Sequence, residues 1–160
     1  MRMADTILIV EDWEDDAKLL EQALLQLGVR NLLIILPSAT EAVLYLEGKF
    51  PYSDRKKYPL PGIIFLDLKL PGTDGFEFLE WLKSSDRLSN QTVFAISGID
   101  DLASIRRAYT MGASSFLPKP PRSLDLENLM VSFPAGWVLA STKSATQLSG
   151  SDRPTPPNRD

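Results

Sequence analysis

Five short apolar runs, separated by stretches of helical periodicity, restrict this chain to very few folds. Thr6–Val10, Leu32–Leu36, Ile63–Leu66, Thr92–Ser97 and Ser115–Leu117 read as strands. Between the first two, apolar residues recur at Ala17, Leu20, Leu24 and Leu27, which predicts a helix over Glu14–Leu27 with Gly28 as its stop. Ser38 and Glu41 stand at capping-box spacing and open a short helix, Ala39–Leu46. Asp74 and Glu77 do the same before Phe76–Ser84. Asp100–Met111 carries Leu102, Ile105 and Tyr109 on one face and ends at Gly112. Leu124–Phe133 is the last predicted helix, ended or kinked by Pro134. Strands that are apolar almost throughout belong to a parallel sheet covered on both faces. Strict alternation with right-handed crossovers then predicts an α/β fold, a doubly wound five-stranded parallel sheet in three layers.

The bulk numbers fit that reading. With 160 residues, 44% of them hydrophobic, the chain holds one domain, placed at residues 1–140. Residues 141–160 are rich in Ser, Thr, Pro and Asp and read as a disordered tail. Gly48–Gly62 is a long loop with three prolines and the basic run Arg55-Lys56-Lys57. There is no cysteine, which excludes disulfides, thiolate chemistry and zinc–thiolate sites. There is no histidine, so the chain is neither a phosphohistidine carrier nor a serine–histidine hydrolase. No apolar run approaches the ~20 residues of a membrane span, and no signal-peptide layout is present. The expected location is cytoplasmic, with no membrane partner. The net charge of −4 argues against a nucleic-acid partner.

The chemistry gathers at the strand ends. Open α/β sheets bind ligands in the crevice beyond the carboxyl ends of their strands. Asp67 ends one predicted strand and the pair Glu11-Asp12 follows another, so three carboxylates meet at one place. Such a site suits a hard cation and chemistry on an oxygen nucleophile. Ser97 and Lys119 follow the fourth and fifth strands, and Lys119 stands in the stiff string Pro118-Lys119-Pro120-Pro121. Each residue has a plainer reading. Glu14, Asp15 and Asp16 suit a helix's positive end. Asp12 or Ser97 could cap a helix, Asp67 could bond its own turn, and Lys119 could be a solvated lysine. Clustered acids repel, however, and they persist together where a cation or a phosphoryl group compensates them.

The acidic pair, the D-x-x-x-P-x-x-x-G string from Asp67 to Gly75, Ser97 and Lys119-Pro120 together resemble a two-component response regulator receiver domain, from about Thr6 to Ala140. The intervals from Asp67 to Ser97 (30) and from Ser97 to Lys119 (22) are the family's usual ones. That from Asp12 to Asp67 (55) is longer by about the proline-rich loop. The resemblance implies a flavodoxin-like three-layer fold with strand order 2-1-3-4-5. It implies that Asp67 is the phospho-acceptor and that Mg²⁺ is bound by Asp12, Asp67 and the backbone carbonyl of Lys69, with Glu11 acting through a water. Ser97 would be the switch hydroxyl and Phe116 the aromatic switch residue. Lys119 would bind a phosphoryl oxygen, with a cis Lys119-Pro120 peptide. The implied partner is a sensor histidine kinase, with a downstream protein effector or phosphotransfer protein, and a homodimer through Asp100–Phe133. The DLKLPGTDG string and the preceding insert most resemble single-domain regulators paired with bacterial phytochrome-type kinases. About 20 residues after Ala140 are too few for a DNA-binding module, so output would run through protein contacts.

Rival readings fit less well. A phosphatase of the haloacid dehalogenase type would place a second acid where Lys69 stands. A pseudo-receiver would not keep the full set of Glu11, Asp12, Asp67, Ser97 and Lys119. A nucleotide-binding domain would have a glycine-rich turn in place of Glu11-Asp12-Trp13. The chain is therefore expected to be a signalling module, not an enzyme acting on other molecules. Ile99, bulky and two residues after Ser97, is expected to limit water access to an acyl phosphate. Trp13 either reports on the site by its fluorescence or simply packs over the first helix.

Overall fold

The protein's structure, a computed structural model, describes residues 5–72, 74–98 and 101–140. The proposed tail and Ile99 lie outside the described residues. Five strands and five helices alternate. They are β1 (Thr6–Val10), α1 (Glu14–Gln26), β2 (Leu32–Leu36), α2 (Ala39–Glu47), β3 (Ile63–Asp67), α3 (Gly75–Ser84), β4 (Thr92–Ser97), α4 (Leu102–Thr110), β5 (Ser115–Pro118) and α5 (Ser123–Ser132). The strands form one parallel sheet in the order β2-β1-β3-β4-β5, the expected one.

Alternation along the central strands divides the core into two layers. Ile7 and Ile9 of β1, with Phe65 and Phe94, pack against Leu20 and Leu24 of α1 and Leu126 and Leu129 of α5. Leu8 and Val10, with Ile64 and Leu66, pack against Ala42 and Leu46 of α2, Phe78 and Leu82 of α3 and Ala108 of α4. β1 and β3 are buried along their whole length, as strands between two helical layers must be. β2 lies at the edge, and Leu32 and Ile35 are partly exposed there. Among the described residues no helix is long and apolar enough to cross a membrane.

The helix ends follow the expected chemistry with small shifts. Ser38 Oγ accepts from Glu41 N, and Asp74 Oδ1 accepts from Glu77 N. The N-cap of α1 is Trp13, not Asp12, and that of α4 is Asp101, not Ser97. α5 begins at Ser123, one residue earlier than expected, because Asp125 accepts from the backbone N–H of Arg122. The apolar face of α4 behaves differently from its pattern. Only Ala108 is buried, while Leu102 and Tyr109 are exposed.

Two segments carry structure that periodicity does not reveal. In the proline-rich loop, Arg55 turns inward and donates to the carbonyls of Tyr45 (2.7 Å) and Leu46 (2.9 Å), closing the end of α2. Gly48 makes this possible: its φ of 67° is left-handed, and a Cβ there would lie 2.9 Å from the guanidinium. The second segment follows α5. Residues 137–140 run antiparallel to 28–31, with Arg30 N donating to Val138 O and Ala140 N to Gly28 O. Trp137 stacks on Phe94 at an interplanar angle of 9°.

Asn31 fastens this strap. It is buried, donates to Gly136 O (2.7 Å) and accepts from Val138 N (2.7 Å). Replacing it by alanine leaves two backbone groups without partners. Asn31→Ala is expected to lower the stability measured by urea unfolding by about 2 kcal/mol, with an unchanged m-value. Hydrogen exchange should quicken at Arg30 and Ala140, whose amides bridge the two segments.

Candidate functional site

The sheet delivers the site residues by extending its own ladders past the strand ends. Glu11 N donates to Leu36 O (3.0 Å), Leu68 N to Ile96 O (3.0 Å) and Lys119 N to Ser97 O (3.1 Å). Glu11, Asp67, Ser97 and Lys119 are thus fixed by backbone hydrogen bonds on neighbouring strands. Gly75 completes the framework where α3 starts. A Cβ there would fall 2.5 Å from Leu68 Cα and 2.6 Å from Asp67 O, so only glycine lets α3 approach the acidic strand end this closely. Gly75 N also donates to Leu68 O (3.1 Å).

The centre of the site is the Lys119 ammonium. Its Nζ lies 2.7 Å from Glu11 Oε2, 2.9 Å from Asp67 Oδ2 and 3.1 Å from Asp16 Oδ2. Each carboxylate comes from a different element. Glu11 and Asp67 are 7% and 4% exposed, so these are charges held away from water. Their remaining oxygens are also engaged: Trp13 N donates to Glu11 Oε1 (3.0 Å) and Lys69 N to Asp67 Oδ1 (2.9 Å). Asp67 therefore does bond its own turn, as the plainer reading holds, and meets the lysine with its other oxygen.

Burial pushes the Glu11 carboxyl up to about 7, against the hydrogen bonds from Lys119 and from the Trp13 backbone. Burial alone would pull the Lys119 ammonium down, but its hydrogen bonds to Glu11 and Asp67 outweigh that and hold it above the ordinary lysine range. Lys119 stays charged, and Glu11 sits close to the point where it takes up or releases a proton at neutral pH.

Glu11, Asp12 and Asp67 each present a carboxylate oxygen, and these three oxygens lie within 4.8 Å of one another. Asp12 is exposed and open to solvent, while the other two are buried. An all-oxygen anionic set of this kind matches a hard divalent cation. Ser97 is buried at the end of β4, and Phe116 is half-buried on β5 against the core layer of α2, α3 and α4. Trp13 is 60% exposed beside this cluster, so the packing reading does not describe it.

Glu11, Asp12, Asp67, Ser97 and Lys119 are thus brought to one edge, whereas Phe116 lies within β5, opposite Ala95. Asp16 is the residue that sequence reasoning missed: its place in the first turn of α1 suggested a helix-end acid, as Glu14 is, paired at the surface with Lys18. Nothing in the local pattern separates Asp16 from Asp15. Only the chain crossing from β5 brings Lys119 to it.

Comparisons with known proteins bear on the family and the fold. The model of the response regulator receiver domain matches residues 7–130. The response regulator Rcp1 of Synechocystis sp. is 27% identical over 139 residues, covering 87% of this chain and 92% of that protein. A Mn²⁺-bound form of Rcp1 superposes with a TM-score of 0.68 at 28% identity, over 85% of this chain and 99% of that one. The bacteriophytochrome response regulator AtBRR superposes with a TM-score of 0.74 at 29% identity, over 85% and 96% of the two chains. The response regulator RPA3017, in red light signaling of R. palustris, gives 0.75 at 25% identity, over 86% and 99%.

Glu11 generates a pH prediction. Its raised value means the protonated form prevails below about 7, whereas a cation needs the carboxylate ionised. Divalent-cation affinity is expected to weaken as pH falls, by about tenfold from pH 8 to pH 6, with proton release on binding. Calorimetric titration with Mn²⁺ in buffers of different ionisation enthalpy checks this, and Glu11→Gln should flatten the dependence.

Proposed function

This chain belongs to the response regulator receiver domain family, and from that premise we propose that it is a phospho-acceptor switch in which Asp67 takes a phosphoryl group from the phosphohistidine of a sensor histidine kinase. One observation carries the reading: the Asp67 carboxylate, buried at the tip of β3, lies 2.9 Å from a lysine ammonium in a cluster of acids. In the transfer an Asp67 oxygen attacks phosphorus as the bond from phosphorus to the histidine nitrogen breaks. Such transfers need positioning and charge neutralisation more than covalent chemistry. The ladder-fixed backbone supplies the first and Lys119 part of the second.

Glu11, Asp12, Asp67 and the backbone carbonyl of Lys69 would hold Mg²⁺, which when bound neutralises charge on the phosphoryl oxygens. The all-oxygen donor set supports this assignment, as does the Mn²⁺-bound form of the relative Rcp1. The acyl phosphate carries about −1.5 to −2 charges. Ser97 would move toward it, and Phe116 would turn into the space released. The exposed Leu102 and Tyr109 of α4 and Leu124 and Val131 of α5 mark the face that would change partners. Its partner would be a downstream effector or phosphotransfer protein, or a second copy of this chain. The name of the bacteriophytochrome response regulator AtBRR favours a phytochrome-type kinase as the donor, and the red light signaling named for RPA3017 fits a light-linked input; the signalling would take place in the cytoplasm. The chain acts here on its own phosphorylation state and not as an enzyme on other substrates.

The test is intact mass after incubation with acetyl phosphate and Mg²⁺. The wild type is expected to gain one base-labile phosphoryl group and Asp67→Asn none. A folded wild type that gains none, from acetyl phosphate or from a phosphorylated kinase, would overturn the reading.

A further inference from the structure

Lys119 has three N–H donors, and the structure directs all three to carboxylates. Two of those acceptors change partners in the chemistry proposed above. Glu11 and Asp67 belong to the candidate cation-binding set, and Asp67 would itself become the acyl phosphate. The third, Asp16, is neither in that set nor at the reacting atoms. It is the only one of the three whose bond to the ammonium need not be broken.

Lys119 therefore faces a difficulty that its own segment does not solve. Its backbone is fixed by the hydrogen bond from Lys119 N to Ser97 O, but its side chain is long and partly exposed. If a cation draws Glu11 and Asp67 away, another group must hold the ammonium over the acceptor. Asp16 does so from the opposite side, from the first turn of α1. Its side chain is 40% exposed, so the bond stays open to water and can yield when the ammonium moves by a fraction of its length toward a phosphoryl oxygen. The plainer role, an acid at a helix's positive end, is already filled by Glu14 and Asp15 in the same turn.

Resting on the phospho-acceptor reading, we propose that Asp16 is a positioning residue: it tethers the Lys119 ammonium beside Asp67 while cation and phosphoryl group take over Glu11 and Asp67. Asp16 touches no reacting atom. It acts through Lys119, and its effect is expected to appear once a divalent cation is present.

The test reads the ammonium directly. In NMR spectra of lysine side-chain ammonium groups, the Lys119 signal is assigned by its loss in Lys119→Arg. In the wild type it is expected to be seen both without and with Mg²⁺. In Asp16→Ala it should be seen without Mg²⁺, where Glu11 and Asp67 still hold it, and be lost when Mg²⁺ is added. The rate of phosphorylation by acetyl phosphate at saturating Mg²⁺ should fall about fivefold in the same variant, the scale of one partly exposed ion pair. Glu14→Ala and Asp15→Ala should change neither signal nor rate. The proposal is overturned if the Asp16→Ala signal survives Mg²⁺ as in the wild type, if the rate is unchanged, or if the two neighbouring variants act alike. Failure of the wild type to accept phosphate would refute the functional reading alone, because the Mg²⁺ response of the signal still decides the role of Asp16.

Discussion

The Lys119 ammonium is the interaction on which the site depends. Without it the buried Glu11 and Asp67 would face each other as two charges with little water to screen them, an arrangement costly enough to protonate one or separate them. With it, β1, α1, β3 and the segment after β5 meet at a single point. The geometry is imposed from below. Three backbone hydrogen bonds carry the ladders one residue beyond the strands, so the side chains start from rigid positions and not from free loops. A site of this construction loses little on binding a cation, since its donors are already gathered, and it keeps a cation of its own until one arrives.

On the proposed reading, that balance would also make the site responsive. Glu11 stands near its titration point because burial works against the lysine and the Trp13 amide. Small changes in local charge would therefore change who bonds to whom. Lys119 N is bonded to Ser97 O, so the same residue that reads the acidic cluster is joined to the end of β4. A local electrostatic event has a short, continuous route to β4 and β5, and from there to Phe116 and α4. This is the form that a charge-driven switch between two packings takes.

The strand–helix alternation, the layer structure and the acidic edge were legible because they depend on periodicities of two and 3.6 and on where strands end. Asp67, Glu11 and Lys119 could be placed together because a parallel sheet puts all its strand ends on one side. Asp16 could not, since its partner lies 103 residues away and its neighbours carry the same charge. The strap over residues 137–140 was illegible for a similar reason. It is too short for any periodicity, and the residue that secures it, Asn31, pairs with positions 105 and 107 residues distant. The inward turn of Arg55 was hidden within a run of three basic residues that reads as a solvated face. Sequence pattern reports faces and ends, whereas single long-range polar bonds leave no periodic trace.

The α4 stripe shows the converse case, a pattern that was clear but pointed to the wrong surroundings. Leu102, Ile105 and Tyr109 satisfy the spacing of a core-facing helix, yet Leu102 and Tyr109 are exposed and the small Ala108 makes the buried contact. A helix held by so little buried surface is cheap to shift, because few contacts must be remade. Its Arg107 guanidinium lies 4.1 Å from the centre of the Phe76 ring, a polar and adaptable attachment to α3. Apolar residues kept in water at a loosely seated helix beside Phe116 make sense if this surface is covered in one state of the proposed switch and bare in the other. The structural weakness of α4 and the rigidity of the acidic edge are then two parts of one design: the edge holds the charges fixed, and α4 is where their rearrangement can be felt.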